Sequence, residues 1–268
     1  MTAAPTPTTP TVSVVIPVKD DARHLRQCLH ALAMQTRLPD EIVVVDNASV
    51  DDSADVARAA GAQVVRCDAP GIPAAATAGY DATSGDLILR LDADSRPGHH
   101  WVEAMAGALI ARPDVAAYTA GARFIDGPRA LRTPLALIYL GAYLAVAVPA
   151  LGHLPLFGSN LAMRAGAWRA VRDRVHRDDP EMHDDFDLAF HLGERHRLRY
   201  LRDARVGVSM RPFGPDAGFA RRMRRGSRTV VAHWPADFPP VRWQKILYLR
   251  LRQRWRAARA VRAEAGLR

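Results

Sequence analysis

Three short runs, Val12-Ser-Val-Val-Ile-Pro17, Glu41-Ile-Val-Val-Val-Asp46 and Asp86-Leu-Ile-Leu-Arg-Leu91, are almost continuously apolar and carry many β-branched residues. Strands of this kind need burial on both faces, and a parallel sheet covered by helices on each side provides it. Between the first two runs, Asp21 to Gln35 places Leu25, Cys28, Leu29 and Leu32 at helical spacing. Asp51 to Ala60 reads as a second helix stopped by Gly61, and Gln63 to Arg66 as a shorter strand. The alternation makes the first hundred residues an α/β unit.

In open α/β sheets, ligands bind beyond the carboxyl ends of the strands. The polar residues at that edge are Lys19 and Asp20, Asp46 and Asn47, and Asp92 and Asp94. An Asp-x-Asp leaving a buried strand can hold a hard divalent cation that also takes phosphate oxygens. There is no GxxxxGK[ST] loop, and no GxGxxG after a strand, to grip phosphate in another way. A second constellation, His183-Asp-Asp-Phe-Asp-Leu188, opens an acidic helix expected from about Met182 to Glu194. Carboxylates there either cap the first turn or supply a general base.

The remainder reads as a helix near Gly166 to Val175 and two short strands near Arg199 to Leu201 and Val206 to Ser209. With 49% hydrophobic and 24% charged residues, the chain is neither disordered nor a disulfide scaffold. Cys28 and Cys67 show no metal or redox spacing, which fits a reducing compartment. Met1 to Thr11 has neither the basic nor the apolar region of a signal peptide and is expected to be a disordered tail. The net charge of +9 comes almost wholly from arginine, Lys19 and Lys245 being the exceptions. It permits a polyanionic or membrane-surface partner.

Five motifs in order, Val12-Ser-Val-Val-Ile-Pro-Val-Lys-Asp-Asp, Val43-Val-Val-Asp-Asn-Ala-Ser-Val-Asp-Asp-Ser, Gly85-Asp-Leu-Ile-Leu-Arg-Leu-Asp-Ala-Asp, Gly158-Ser-Asn-Leu-Ala-Met-Arg and Asp184-Asp-Phe-Asp-Leu, resemble those of glycosyltransferase family 2. The resemblance implies an α/β GT-A (Rossmann-like) fold with a mostly parallel central sheet and a C-terminal helical extension. It implies a nucleotide-sugar donor, with UDP- or GDP-sugars expected, a Mn²⁺ or Mg²⁺ ion, and transfer with inversion. By similarity Pro17, Lys19, Asp20 and Asp46 line the nucleoside pocket. Gly71 allows close backbone approach to the donor, Asp92 faces the ribose and donor, and Asp94, with Asp92, holds the metal. Asp185 falls at the base position, with Asp184 where Glu is usual. Lys19 replaces a frequent aromatic. No histidine occurs in Val206-Gly-Val-Ser209, where many members carry one, so no third metal ligand is assigned there; His233 is either a substitute ligand or a surface or packing histidine.

The domain reading is a tail over 1–11, a glycosyltransferase domain over 12–212 (donor half 12–100, acceptor half 101–212) and a basic helical extension over 213–268. Pro134 to Phe157 has no formally charged residue unless His153 is protonated, and Leu135 to Leu151 reaches the lower length of a membrane span. One crossing between Asp94 and Asp185 would split the site, so this segment is expected to be a buried core helix, or one lying in the interface or re-entering from one side; Gly141 and Pro149 also weaken it as a simple helix. Trp243 to Trp255 mixes aromatic and aliphatic residues with arginines, a pattern of interfacial anchors or of a helix packed by one stripe. Arg221 to Arg225 are placed either on the tail's surface or facing the donor diphosphate. A cytoplasmic enzyme, peripheral on the membrane face, with a carbohydrate or lipid-linked acceptor and no nucleic acid partner, is the expectation. Nucleotidyl transfer, a nucleic-acid binder and a non-catalytic sugar-nucleotide-binding relative are the alternatives.

Overall fold

The structure, a computed structural model, describes residues 9–126, 128–209 and 218–264. One sheet contains β1 (Val12–Val18), β2 (Glu41–Asp46), β3 (Gln63–Arg66), β4 (Leu87–Arg90), β5 (Arg96–Pro97), β6 (Val115–Phe124), β7 (Leu161–Arg164) and β8 (Arg197–Val208). Their order is β3-β2-β1-β4-β7-β6-β8-β5. The first four strands in that order are parallel, β7 is antiparallel to both β4 and β6, and β8 is parallel to β6. This is the expected mostly parallel α/β sheet.

Helices α1 (Ala22–Ala33), α2 (Ser53–Ala59) and α4 (Trp101–Ala111) cover one face, and α3 (Ile72–Ala82), α6 (Ala165–Arg169) and α7 (Asp184–Arg195) the other. Helix α1 buries Leu25, Cys28, Leu29 and Leu32, the stripe that its spacing announced. Both cysteines are buried free thiols. Register places the site: β1 pairs Val18 with Asp46 of β2 and Val15 with Arg90 of β4. Residues 19–20, 46–47 and 91–94 therefore leave the sheet at one edge.

Several elements depart from the sequence reading. Helix α4 and strand β6 were not read there. The two late strands are one, β8, whose pairs Ala120↔Leu201 and Ala122↔Val206 leave residues 202–205 opposite Gly121 alone. That bulge breaks the alternation from which a single strand would be read. The tail expected through Thr11 is held from Pro10 onward: Arg37 donates to the Pro10 carbonyl at 2.7 Å, and Thr11 N–H to Asp86 Oδ2 at 3.0 Å. Residues 1–8 of that tail, and the boundary at 212, lie outside the described residues.

The apolar segment forms one helix, α5 (Arg129–Leu151), which continues through Gly141 and Pro149 and ends at left-handed Gly152 (φ 73°). A proline in the last turn forgoes one helical hydrogen bond, and its own carbonyl here accepts from Trp243 Nε1 at 2.8 Å. Of the apolar window in residues 132–151, only 18% is buried, so α5 is not a core helix along most of its length. Its C-terminal end packs on α7 and on α9 (Pro239–Glu264), while α8 (Gly218–Ala232) packs on α7.

Arg242 joins these helices. Fully buried, it donates to the Leu151 carbonyl at the end of α5 (2.7 Å) and to the Phe190 carbonyl in α7 (2.8 Å), stands 3.3 Å from Asp237, and lies over the Phe190 ring. Arg242→Met is expected to lower the free energy of urea unfolding by about 2–4 kcal/mol, because buried acceptors lose their donor. Arg252→Met, at an exposed position, is expected to change it by less than about 0.5 kcal/mol.

Candidate active site

Arg90 is the last residue of β4 and almost wholly buried, its side chain 3% exposed. A guanidinium in that position needs anions, and it has them. It donates to Asp184 at the start of α7, to Asp92 Oδ1 at 3.4 Å and to Tyr80 Oη at 3.1 Å. Burial alone would disfavour its charge, but Asp184, then Tyr80, Asp92 and Asp185, hold it firmly protonated. The group lies flat on Gly158: a Cβ there would fall 2.7–2.9 Å from three guanidinium atoms. One side chain thus joins the Asp-x-Asp edge to the first turn of α7, 94 residues away along the chain.

Asp185 is buried beside it. Gly158 N–H donates to its Oδ2 at 2.6 Å, and His183 Nδ1 stands 2.5 Å from its Oδ1. Burial works against ionisation, yet the His183 charge and contact, the Gly158 N–H and Arg90 outweigh it and hold the carboxyl below the usual range. Reciprocally, burial disfavours the His183 imidazolium, but Asp185 and Asp184 leave its pKa raised. Asp185 is therefore an ionised carboxylate at neutral pH.

Asp92 and Asp94 follow β4, both partly exposed. Partial burial, with Asp94 and Asp184 adding to it and Arg90 opposing, pushes the Asp92 carboxyl up to about 6. Two carboxylates this close on a solvent-open edge, the charge of Asp94 helping to raise the pKa of Asp92, fit a hard divalent cation, whose charge would relieve that repulsion. Asp92 and Asp94 would hold it.

Where β1 and β2 end, Lys19 Nζ donates to the Asn47 and Ala48 carbonyls at 3.0 and 3.1 Å, which ties it to the loop after β2. Asp20, at φ 49°, accepts from Val50 N at 2.7 Å, and buried Asp46 accepts from Ser49 N at 3.0 Å. Pro17 stands next to Val18 in β1, opposite Val45. These four residues line one edge, and three of them shape the 47–50 loop. Gly71, at φ 101°, precedes α3; a Cβ there would meet Pro180 at 2.8 Å, so the close backbone approach seen at this glycine is to Pro180. Its N–H donates to Asn47 Oδ1 at 3.2 Å. Asn47 also donates to the Cys67 and Ala69 carbonyls and so organises the loop before α3.

The arginines of α8 divide. Arg224 and Arg225 pair with Glu181, and Arg228 with Asp179. Arg222 lies near enough to the site for its charge to lower the pKa of both Asp92 and His183. His233, for which the sequence left a substitute metal ligand or a surface or packing histidine open, is buried against Phe190, 3.3 Å from Asp187 and 2.8 Å from the Thr229 carbonyl.

Sequence reasoning gave Arg90, His183 and Gly158 no individual role. The signal for Arg90 was present: a lone charge inside an apolar strand must be paired when buried. Arg90→Met is expected to cost about 3–5 kcal/mol of stability in chemical denaturation, since it strands Asp184. In an Asp184→Asn background the same change is expected to cost less than half as much.

A model of glycosyl transferase family 2 matches residues 13–177. Glycosyltransferase AglE of Haloferax volcanii is 34% identical over 106 residues, 37% of this chain and 35% of that protein. An undecaprenyl-phosphate 4-deoxy-4-formamido-L-arabinose transferase of Serratia proteamaculans is 40% identical over 93 residues, 31% of this chain and 28% of that protein. The chain thus spans about a third of the length of these relatives. Among solved structures, glucosyl-3-phosphoglycerate synthase of Mycobacterium tuberculosis, in complex with Mn²⁺, UDP-glucose and phosphoglyceric acid, superposes with a TM-score of 0.59 at 20% identity over 83% of this chain and 79% of its own. Mannosyl-3-phosphoglycerate synthase of Rubrobacter xylanophilus gives 0.57 at 21% identity over 84% and 74%. These likenesses establish the GT-A fold. With the family match running over more than half of its length, the chain belongs to glycosyl transferase family 2.

Proposed function

We propose that this protein is a metal-dependent, inverting glycosyltransferase that moves a sugar from a UDP- or GDP-linked donor to a hydroxyl of a lipid-linked acceptor. The observation that carries the reading is the bridge from Arg90 to Asp92 and Asp184, which brings the Asp-x-Asp edge and Asp185 into one site. That the structural neighbour was crystallised with Mn²⁺ and UDP-glucose supports the donor class.

Inversion needs one displacement. The acceptor oxygen forms its bond to the anomeric carbon as the bond to the diphosphate oxygen breaks, and that electron pair leaves with the nucleoside diphosphate. Asp185 takes the acceptor proton. Its depressed pKa keeps it in the accepting form across neutral pH, and the Gly158 N–H and His183 fix its orientation. A divalent ion held by Asp92 and Asp94 would supply positive charge to the leaving diphosphate. Arg222 adds charge from α8 on the same side.

The acceptor reading rests on the surface of α5 and α9. Leu137, Ile138 and Val146 of α5, and Trp243, Leu247, Tyr248, Leu251 and Trp255 of α9, are exposed on two packed helices, the second rich in arginine. An apolar surface flanked by cations suits an anionic bilayer face. Helix α5 is long and apolar enough to cross a membrane. A single crossing would put Asp92 and Asp184 on opposite sides, and the Arg90 bridge argues against that. We therefore place α5 in the interface, with the enzyme peripheral on the cytoplasmic face. The Serratia relative, named for undecaprenyl phosphate, supports a lipid carrier.

Two experiments test this. Asp185→Asn is expected to bind nucleoside diphosphate like the parent while sugar transfer falls by at least about 100-fold; equal turnover in that variant removes Asp185 as the base. Asp94→Ala is expected to lose metal-dependent binding altogether. Separately, the protein is expected to sediment with vesicles containing anionic lipid, less so at high salt, and the pair Leu137→Glu and Leu247→Glu to stay in the supernatant. Sedimentation unchanged by that pair rejects the α5–α9 surface as the contact.

A further inference from the structure

Helix α7 carries a second constellation on its other face. Asp185 and Asp187 are two positions apart, about 200° around a helix, so Asp187 points away from Arg90 and Gly158. It meets three imidazoles. Its Oδ1 lies 2.7 Å from His176 Nδ1, 3.3 Å from His233 Nε2 and 3.5 Å from His191 Nε2. The four ligand atoms all lie within 4.8 Å of one another.

Their chemistry goes beyond an ion pair. A carbonyl only accepts, so the 2.8 Å contact of His233 Nδ1 with the Thr229 carbonyl places the proton on Nδ1 and leaves the Nε2 lone pair facing Asp187. His233 and His191 are 7% and 8% exposed, and neither Nε2 has a hydrogen-bond partner. His233 is held in plane by stacking on Phe190, with ring centroids 4.0 Å apart. Asp187 Oδ2 accepts the His176 backbone N–H at 2.8 Å, which leaves Oδ1 to point at the imidazoles. A backbone carbonyl fixing the far nitrogen of a buried imidazole is the arrangement that orients metal-ligating histidines. Asp187 and His191, four residues apart on α7, share one helix face.

We propose that His176 Nδ1, Asp187 Oδ1, His191 Nε2 and His233 Nε2 bind one Zn²⁺ in a closed, structural site that clamps α7 to the turn that follows α8 and to the loop carrying His176. Tetrahedral bonds of about 2.1 Å place neighbouring ligand atoms about 3.4 Å apart, and the contacts with Asp187 Oδ1 span 2.7–3.5 Å. Three nitrogens and one oxygen suit zinc, whereas the all-carboxylate Asp92 and Asp94 suit a harder ion. Closing the site fixes the helix that carries Asp184 and Asp185 at its start.

The test uses the full chain stripped with chelator, in the wild type and in Asp94→Ala, which removes the other cation site. The expected result is one Zn²⁺ bound per chain in Asp94→Ala and at least one in the wild type, with, in both, an intense visible spectrum of tetrahedral type on adding Co²⁺, loss of that spectrum on adding Zn²⁺, and a Zn²⁺-dependent rise in Tm. The double variant His191→Asn and His233→Gln is expected to bind Zn²⁺ at least about 100-fold more weakly. Absence of stoichiometric binding in the wild type overturns the site, and this holds even if the double variant fails to fold. Undiminished binding by a folded double variant overturns it as well.

Discussion

A guanidinium sealed under a sheet edge has to be surrounded by anions, and that requirement at Arg90 organises this protein. Moving a lone cation from water into a protein interior costs several kcal/mol, so the carboxylates that compensate it are held where it is. Arg90 gathers Asp92 from its own strand and Asp184 from α7, and it lies on Gly158, whose backbone holds Asp185. Three segments far apart in the chain are thereby set against one another. The same charge lowers the pKa of Asp185 and opposes the rise at Asp92, so one buried residue acts on both carboxylates.

The parallel half of the fold was legible because its strands are buried on both faces and therefore contiguous in sequence. Asp-x-Asp and the acidic start of α7 were legible as one site only through the family resemblance, since nothing local in a chain reports a contact across 94 residues. Arg90 was visible as a letter and was passed over as part of a strand. Helix α4 and β6 went unread: α4 is apolar on too many sides to show a stripe, and β6 runs through alanines and a glycine. The bulge opposite Gly121 hid the continuity of β8. His233 was singled out among the histidines, but its neighbour Asp187 was not, because the face of α7 on which Asp187 lies is decided by packing.

Helices α5, α8 and α9 give the chain a second organising point in Arg242. It satisfies the last carbonyl of the apolar helix and a carbonyl of α7 with one side chain, so the segment with the most exposed apolar surface is braced on the helix that begins with Asp184 and Asp185. A buried bidentate arginine thus fixes the spatial relation between that exposed apolar surface and the start of α7.

The most direct measurement is thermal stabilisation of the intact protein by UDP, GDP, CDP and dTDP, each with and without Mn²⁺, because a ligand that binds only the folded state must raise its stability. A shift with one diphosphate that requires Mn²⁺ is the expected result. A shift that is the same without metal, or none with any diphosphate, would contradict a cation-assisted sugar-nucleotide site at the Arg90 edge.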